Sequence, residues 1–119
     1  MISVITVNLN NKNGLKETIE SIKSQKLVKL ENIIIDGVSS DGSLDIIYKY
    51  KNFLKFLIEK DSGIYNAMNK GIKLSRFPFI IFLNSGDKFT HDKVLSLYAS
   101  SLEKDDYDLI YSNLNVIRD

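Results

Sequence analysis

The chain has 119 residues, enough for one small domain with its own core and too few for a second lobe. Its hydrophobic share of 44% and charged share of 26% are those of an ordinary soluble globular protein, and its net charge of +1 gives no electrostatic reason to expect nucleic acid as a partner. Cysteine is absent, which excludes disulfides and thiolate metal sites, and no apolar run approaches the roughly 20 residues that span a bilayer.

Residues 2–9 are β-rich (Ile2, Val4, Ile5, Val7, Leu9) and predict a first strand. It runs into an Asn-rich turn ending at Gly14, with Asn13 as the expected helix N-cap. A helix over 14–25 would place Leu15, Ile19 and Ile22 on one face. Residues 30–35 predict a second strand that stops at Asp36 and Gly37. A polar loop leads into a second helix over 43–51, with Leu44, Ile47 and Tyr48 inward. Residues 53–58 predict a shorter third strand nearer an edge.

The most regular helix follows, over 64–75. Ile64, Ala67, Met68, Gly71 and Ile72 form one apolar stripe, and Ser62 stands where a cap belongs. Residues 79–83 read as a buried strand of a parallel sheet, followed at once by Asn84, Ser85, Gly86 and Asp87. A fourth helix over 91–103 turns Val94, Leu95, Tyr98 and Leu102 inward, and residues 108–111 begin a fifth strand whose exposed edge would favour self-association.

Strands and helices therefore alternate, which predicts an α/β fold: a doubly wound, mainly parallel sheet with helices on both faces. Right-handed crossovers and a strand order of 3-2-1-4 put the topological switch point between the first and fourth strands. Ligands of such sheets bind outside the carboxyl ends of the strands. The loops at 8–13 and 84–87 would flank that crevice, with Asp36 beside them.

Each polar residue at these strand ends has two readings. Asp87 suits a Mg²⁺ or Mn²⁺ ion shared with a diphosphate, or it caps the fourth helix, or it is a solvated turn residue. Asp36 accepts hydrogen bonds from a base or ribose, or makes an Asx-turn with Gly37. Ser39, Ser40 and Asp41 read as caps of the second helix. Asp61 has no evident structural role, while Tyr65 and Asn69 sit off the apolar stripe, facing the crevice or solvent. The single histidine, His91, reads as a surface residue in the first turn of a helix. It forms no triad, and the glycines form no phosphate-cradling loop.

Four segments, in order, resemble the inverting, GT-A type glycosyltransferases of family 2. VITVNLN at residues 4–10 resembles the family's first strand and loop. IIDGVSSDGS at 34–43 resembles its VDDGSTDGS segment. EKDSGIYNAMNKGI at 59–72 resembles its D-x-G-x-x-x-A-x-N-x-G helix, and FLNSGD at 82–87 resembles FLDADD with its metal-binding DXD. The resemblance covers nearly the whole chain and is nearest to bacterial capsule and exopolysaccharide transferases.

The resemblance implies a Rossmann-like, nucleotide-sugar binding domain over 1–119, the amino-terminal half of a transferase and so truncated relative to the family. It implies a donor site at Thr6 (taken as the end of the first strand), Asp36, Asp61, Asn69 and Asn84, with Asp87 as the metal ligand for Mg²⁺ or Mn²⁺. The implied partners are a UDP- or GDP-sugar donor and a saccharide or lipid-linked acceptor, with no nucleic acid. With no signal-peptide pattern at its start, the chain is expected to be cytoplasmic, with peripheral attachment at the inner face of the membrane left open.

Departures from the family are also visible. Asn84 and Gly86 stand where many members carry Asp, Met68 replaces a common Arg, and the proline after the first strand is missing. No residue of 1–119 matches the family's catalytic base, so the catalytic residue is not assigned. Two other classes remain open. A nucleotidyltransferase would want a Gly-rich basic loop after the first strand, and a non-catalytic partner-binding module of the receiver type would want an acidic cluster there. The loop offers asparagines instead.

Overall fold

In the computed structural model, which describes residues 1–27 and 29–104, the elements alternate as expected. They are β1 (Ile2–Asn8), α1 (Lys12–Lys23), β2 (Leu30–Asp36), α2 (Ser43–Lys49), β3 (Lys55–Ile58), α3 (Ile64–Leu74), β4 (Phe79–Phe82) and α4 (Val94–Lys104). The fifth strand expected at 108–111, and the edge it would expose, lie outside the described residues.

The strand order is β3-β2-β1-β4, all parallel, as expected and as right-handed crossovers allow. β1 and β2 are in full register from Ile2 opposite Leu30 to Asn8 opposite Asp36. Side-chain alternation then sorts the core. Val4 and Ile34 face α1, α2 and α4, packing with Leu15, Ile19, Ile22, Ile47 and Leu95. Ile5, Ile33 and Ile35 face the other way, onto Ala67 of α3. The strand order reverses beside β1, so the carboxyl ends of β1 and β4 border the crevice.

Several local expectations are corrected. Asn11, not Asn13, caps α1: its Oδ1 accepts from the Gly14 N–H at 3.2 Å, and Asn13 already lies in the first turn. Gly63 stands at the N-cap of α3 in place of Ser62, whose N–H is instead taken by the Asn66 side chain. Of the α3 stripe only Ala67 and Gly71 are buried, while Ile64 and Ile72 are 48% and 42% exposed. The helix docks through its smallest residues, because at Gly71 it comes so close that a Cβ would lie 2.4 Å from Ile5 Cγ2.

Tyr48 points outward and meets the Phe56 ring edge-on at 5.7 Å. β4 is shorter and more open than a buried strand, because among the described residues it pairs only with β1. α4 starts at Val94, so His91 precedes the helix rather than sitting in its first turn.

Candidate functional site at the strand-end rim

Asn8 closes β1 and is almost fully buried. Its amide reaches both neighbouring strands. Nδ2 donates to Asp36 Oδ1 at 2.8 Å and to the Ser39 hydroxyl at 3.3 Å, and Oδ1 accepts from the Ser85 hydroxyl at 2.7 Å. The backbone repeats the connection: Gly37 N–H donates to Asn8 O and Ser85 N–H to Val7 O.

Asp36 is fully buried. Besides Asn8, it accepts from the Ser39 hydroxyl at Oδ1 and the Ser39 N–H at Oδ2, both at 2.7 Å. It therefore closes a turn onto Ser39, three residues on, while the Gly37 N–H donates to Asn8 O. Between these anchors Val38 is held at φ 68°, a left-handed conformation that a β-branched residue adopts only under constraint, at about 1–3 kcal/mol. Ser39 thus belongs to the rim network, whereas Asp41 acts at the start of α2. There the Ser43 hydroxyl and N–H, with the Lys12 N–H, hold the Asp41 carboxyl below its ordinary range.

The 84–87 turn is fastened from two sides. Asn84 Oδ1 accepts from the Val7 N–H at 3.4 Å, and Asp87 N–H closes onto Asn84 O at 2.9 Å. From α1, the buried Thr18 hydroxyl donates to Asp87 O at 2.6 Å and accepts from Gly86 N–H at 3.0 Å. Gly86 adopts φ 98°, which suits it to this turn. Asn11 Nδ2 donates to Ser85 O. The Asp87 side chain is exposed, lies seven residues before α4, and accepts no hydrogen bond from the described residues. The cap reading of Asp87 is thereby removed.

Asp61 joins the same end of the sheet. A Cβ on Gly37 would lie 3.0 Å from Asp61 Oδ2, so the glycine is what lets this carboxylate approach β2. Asp61 Oδ1 accepts from Gly63 N–H, the structural role the sequence did not disclose. Two expected site residues stand apart. Thr6 is not at the end of β1 but two residues inside it, fully buried, with only the Asn32 amide near its hydroxyl at 3.5 Å. Asn69 is exposed on α3, on the other face of the sheet from Thr18, with no hydrogen bond to the rim. A separate open depression of about 770 Å³ lies between α1 and the loop after β4, lined by Lys16, Glu20, Lys88 and His91, and does not include the rim network.

A divalent cation takes oxygen ligands, and Mg²⁺ or Mn²⁺ commonly has one or two carboxylates with phosphate and water completing the shell. The free Asp87 carboxylate fits one such position. Among the described residues no three His, Cys, Asp or Glu side chains cluster to hold an ion.

Asn8, Thr18 and Ser85 carry the geometry of this rim, and none was among the expected site residues. The one available signal was a threonine on the apolar face of α1, between Leu15 and Ile22.

The four-stranded, all-parallel sheet flanked by helices matches the GT-A fold of nucleotide-sugar transferases. The chain belongs to glycosyl transferase family 2, whose model matches residues 3–119. It is 32% identical over 98 residues to the putative teichuronic acid biosynthesis glycosyltransferase TuaG of Bacillus subtilis, covering 79% of this chain and 39% of that protein. It is 30% identical over 119 residues to a PGL/p-HBAD biosynthesis glycosyltransferase of Mycobacterium tuberculosis, covering 96% of this chain and 46% of that one. The chain thus spans less than half the length of these relatives. Among solved structures it is similar in fold to Staphylococcus aureus TarS in complex with UDP-GlcNAc, with a TM-score of 0.78 and 24% identity over 87% of this chain and 31% of that one. It is also similar to the mannosyltransferase PcManGT of Pyrobaculum calidifontis in complex with GDP-Man and Mn²⁺, with a TM-score of 0.75 and 17% identity over 80% of this chain and 30% of that one. No described helix is long and apolar enough to cross a membrane.

Proposed function

We propose that residues 1–119 are the nucleotide-sugar binding part of an inverting glycosyltransferase, which passes a sugar from a UDP- or GDP-sugar to a hydroxyl of a polysaccharide or lipid-linked acceptor. The observation that carries this reading is the joining of Asp36 and the 84–87 turn into one rim by a single polar network, with the exposed Asp87 carboxylate unpartnered among the described residues. The donor complexes of TarS and PcManGT support a nucleotide sugar as ligand, and the Mn²⁺ of PcManGT supports a divalent cation at Asp87. When bound, such a cation would neutralise charge on the departing diphosphate.

Asp61 and Asn84 are the proposed donor contacts, offering acceptors to a base and ribose, while the fully buried Asp36 is proposed to shape that side of the site through the Ser39 turn it holds. Thr6 and Asn69 match the family pattern but have the least geometric support. The general base that inversion needs is proposed to come from outside residues 1–119, because no carboxylate here has a family match to it. The acidic residues at 103, 105, 106 and 108, expected at the far rim of the sheet, have side chains outside those described. A cytoplasmic setting, peripheral to the membrane, suits donors of this class.

Equilibrium titration with UDP, GDP and an acidic peptide, each with Mn²⁺ and with chelator, tests the reading. Binding of one nucleoside diphosphate, tighter with Mn²⁺, is expected, together with no multiple-turnover transfer from UDP- or GDP-sugars. Failure of both nucleotides to bind would contradict it, and capture of the peptide alone would favour the partner-binding module.

A further inference from the structure

We infer that Asn8 is the positioning residue that couples the Asp36 side of the rim to the Asp87 turn; the inference rests on the nucleotide-sugar reading above. β1 lies between β2 and β4, so only a residue at its end can touch both loops. Asn8 is that residue, and its side chain is neutral, planar and two-ended. The donor end is committed to Asp36 at 2.8 Å and the acceptor end to Ser85 at 2.7 Å. A carboxylate there would lack the donor and face Asp36, and a hydroxyl is too short to span both loops.

The relay extends outward at each end. On one side Asp36 holds Ser39, whose hydroxyl also accepts from the Asn10 N–H at 2.9 Å. On the other, Ser85 lies between Asn84 and Gly86 in the turn that presents Asp87. Being 1% exposed, Asn8 cannot itself touch a ligand. Its influence on a bound nucleotide must pass through the residues it holds. One buried amide therefore joins, beside the backbone bonds, the Asp36–Ser39 turn to the turn that presents Asp87.

The test uses the 119-residue chain, with UDP and GDP as probes, each titrated in MnCl₂ and in EDTA. The readout is the ratio of the two affinities, which a general loss of stability does not move. Asn8→Ala is expected to reduce that ratio about three- to tenfold, as loss of one positioning hydrogen bond would. Ser85→Ala cuts only the Asp87 side, keeps the bond from Asn8 to Asp36, and remains informative if Asn8→Ala does not fold. It should reduce the ratio similarly, and the double variant should add little, because both changes break one link. Unchanged ratios in Ser85→Ala and Asn8→Ala, with melting temperatures lowered, would overturn the inference and leave the functional reading standing. Absence of nucleotide binding by the unsubstituted chain would overturn both.

Discussion

Thr18 holds Asp87 by its backbone: from inside the core, its hydroxyl donates to the Asp87 carbonyl and accepts from the neighbouring Gly86 N–H. A fully buried residue of α1 thus fixes the exposed residue best suited to a cation. Thr18→Val keeps the shape and removes both bonds. It should lower unfolding stability by about 1–3 kcal/mol, the cost of leaving such groups unpaired. Nucleotide affinity in Mn²⁺ should fall more than affinity in EDTA. Urea unfolding and calorimetry measure the two effects, and a stability loss with equal binding losses in both buffers would make Thr18 purely structural.

Asp36 has a structural role that the sequence alone sets beside a ligand-binding one. Asp36→Ala is expected to weaken nucleotide binding, yet it also strands the Asn8 amide and the Ser39 N–H in a buried setting. With about 1–3 kcal/mol for each orphaned donor, the loss in urea unfolding should reach at least ~2 kcal/mol. A variant that unfolds like the original while binding less nucleotide would show that the turn is not held by this carboxylate.

The architecture was legible because each layer of it has a periodic signal. The apolar runs of β1 and β2, and Leu15, Ile19 and Ile22 on α1, state their partners plainly, and handedness then leaves few arrangements, the observed strand order among them. The strand-end aspartates were legible for the same reason: they sit where an apolar run stops. What escaped was set by contacts between segments distant in sequence. Asn8, Thr18 and Ser85 matter through bonds spanning 28 to 77 residues, which no local pattern encodes. The α3 stripe misled because Ala67 and Gly71 dock the helix by closeness rather than by bulk, leaving Ile64 and Ile72 in the open.

Gly71→Ala tests that close contact. In an ordinary helix the change gains about 1 kcal/mol of propensity. Here the new Cβ would fall 2.4 Å from the side chain of the fully buried Ile5. Overpacking of this kind costs about 1–3 kcal/mol, so the variant should be no more stable than the original and is expected to be less so. A raised urea midpoint would show that α3 can back away without penalty.

Glu31 provides the pH dependence, at the opposite rim of the sheet. Burial pushes its carboxyl up, but hydrogen bonds from the Arg76 N–H and the Ser3 hydroxyl, with the Lys55 ammonium at 3.4 Å, outweigh burial and hold it below its ordinary 4.5. A carboxylate with a lowered folded-state pKa contributes stability that is complete above the unfolded pKa and is lost as pH falls through the folded one. The original chain should therefore exceed Glu31→Gln in urea midpoint at pH 7, with the gap closing on acidification below about 4.5. A gap that stays constant down to pH 3 would assign the difference to packing.

The central claim is that the 84–87 turn presents Asp87 to a cation shared with a nucleoside diphosphate. Calorimetric titration of UDP and GDP into the chain and into Asp87→Asn, each with Mn²⁺ and with EDTA, tests it most directly. The account predicts that Mn²⁺ strengthens binding to the original chain, that the Asp87→Asn variant binds alike in both buffers, and that its melting temperature is unchanged because the carboxylate accepts no hydrogen bond from the described residues. Equal, Mn²⁺-dependent affinity in the variant would contradict it.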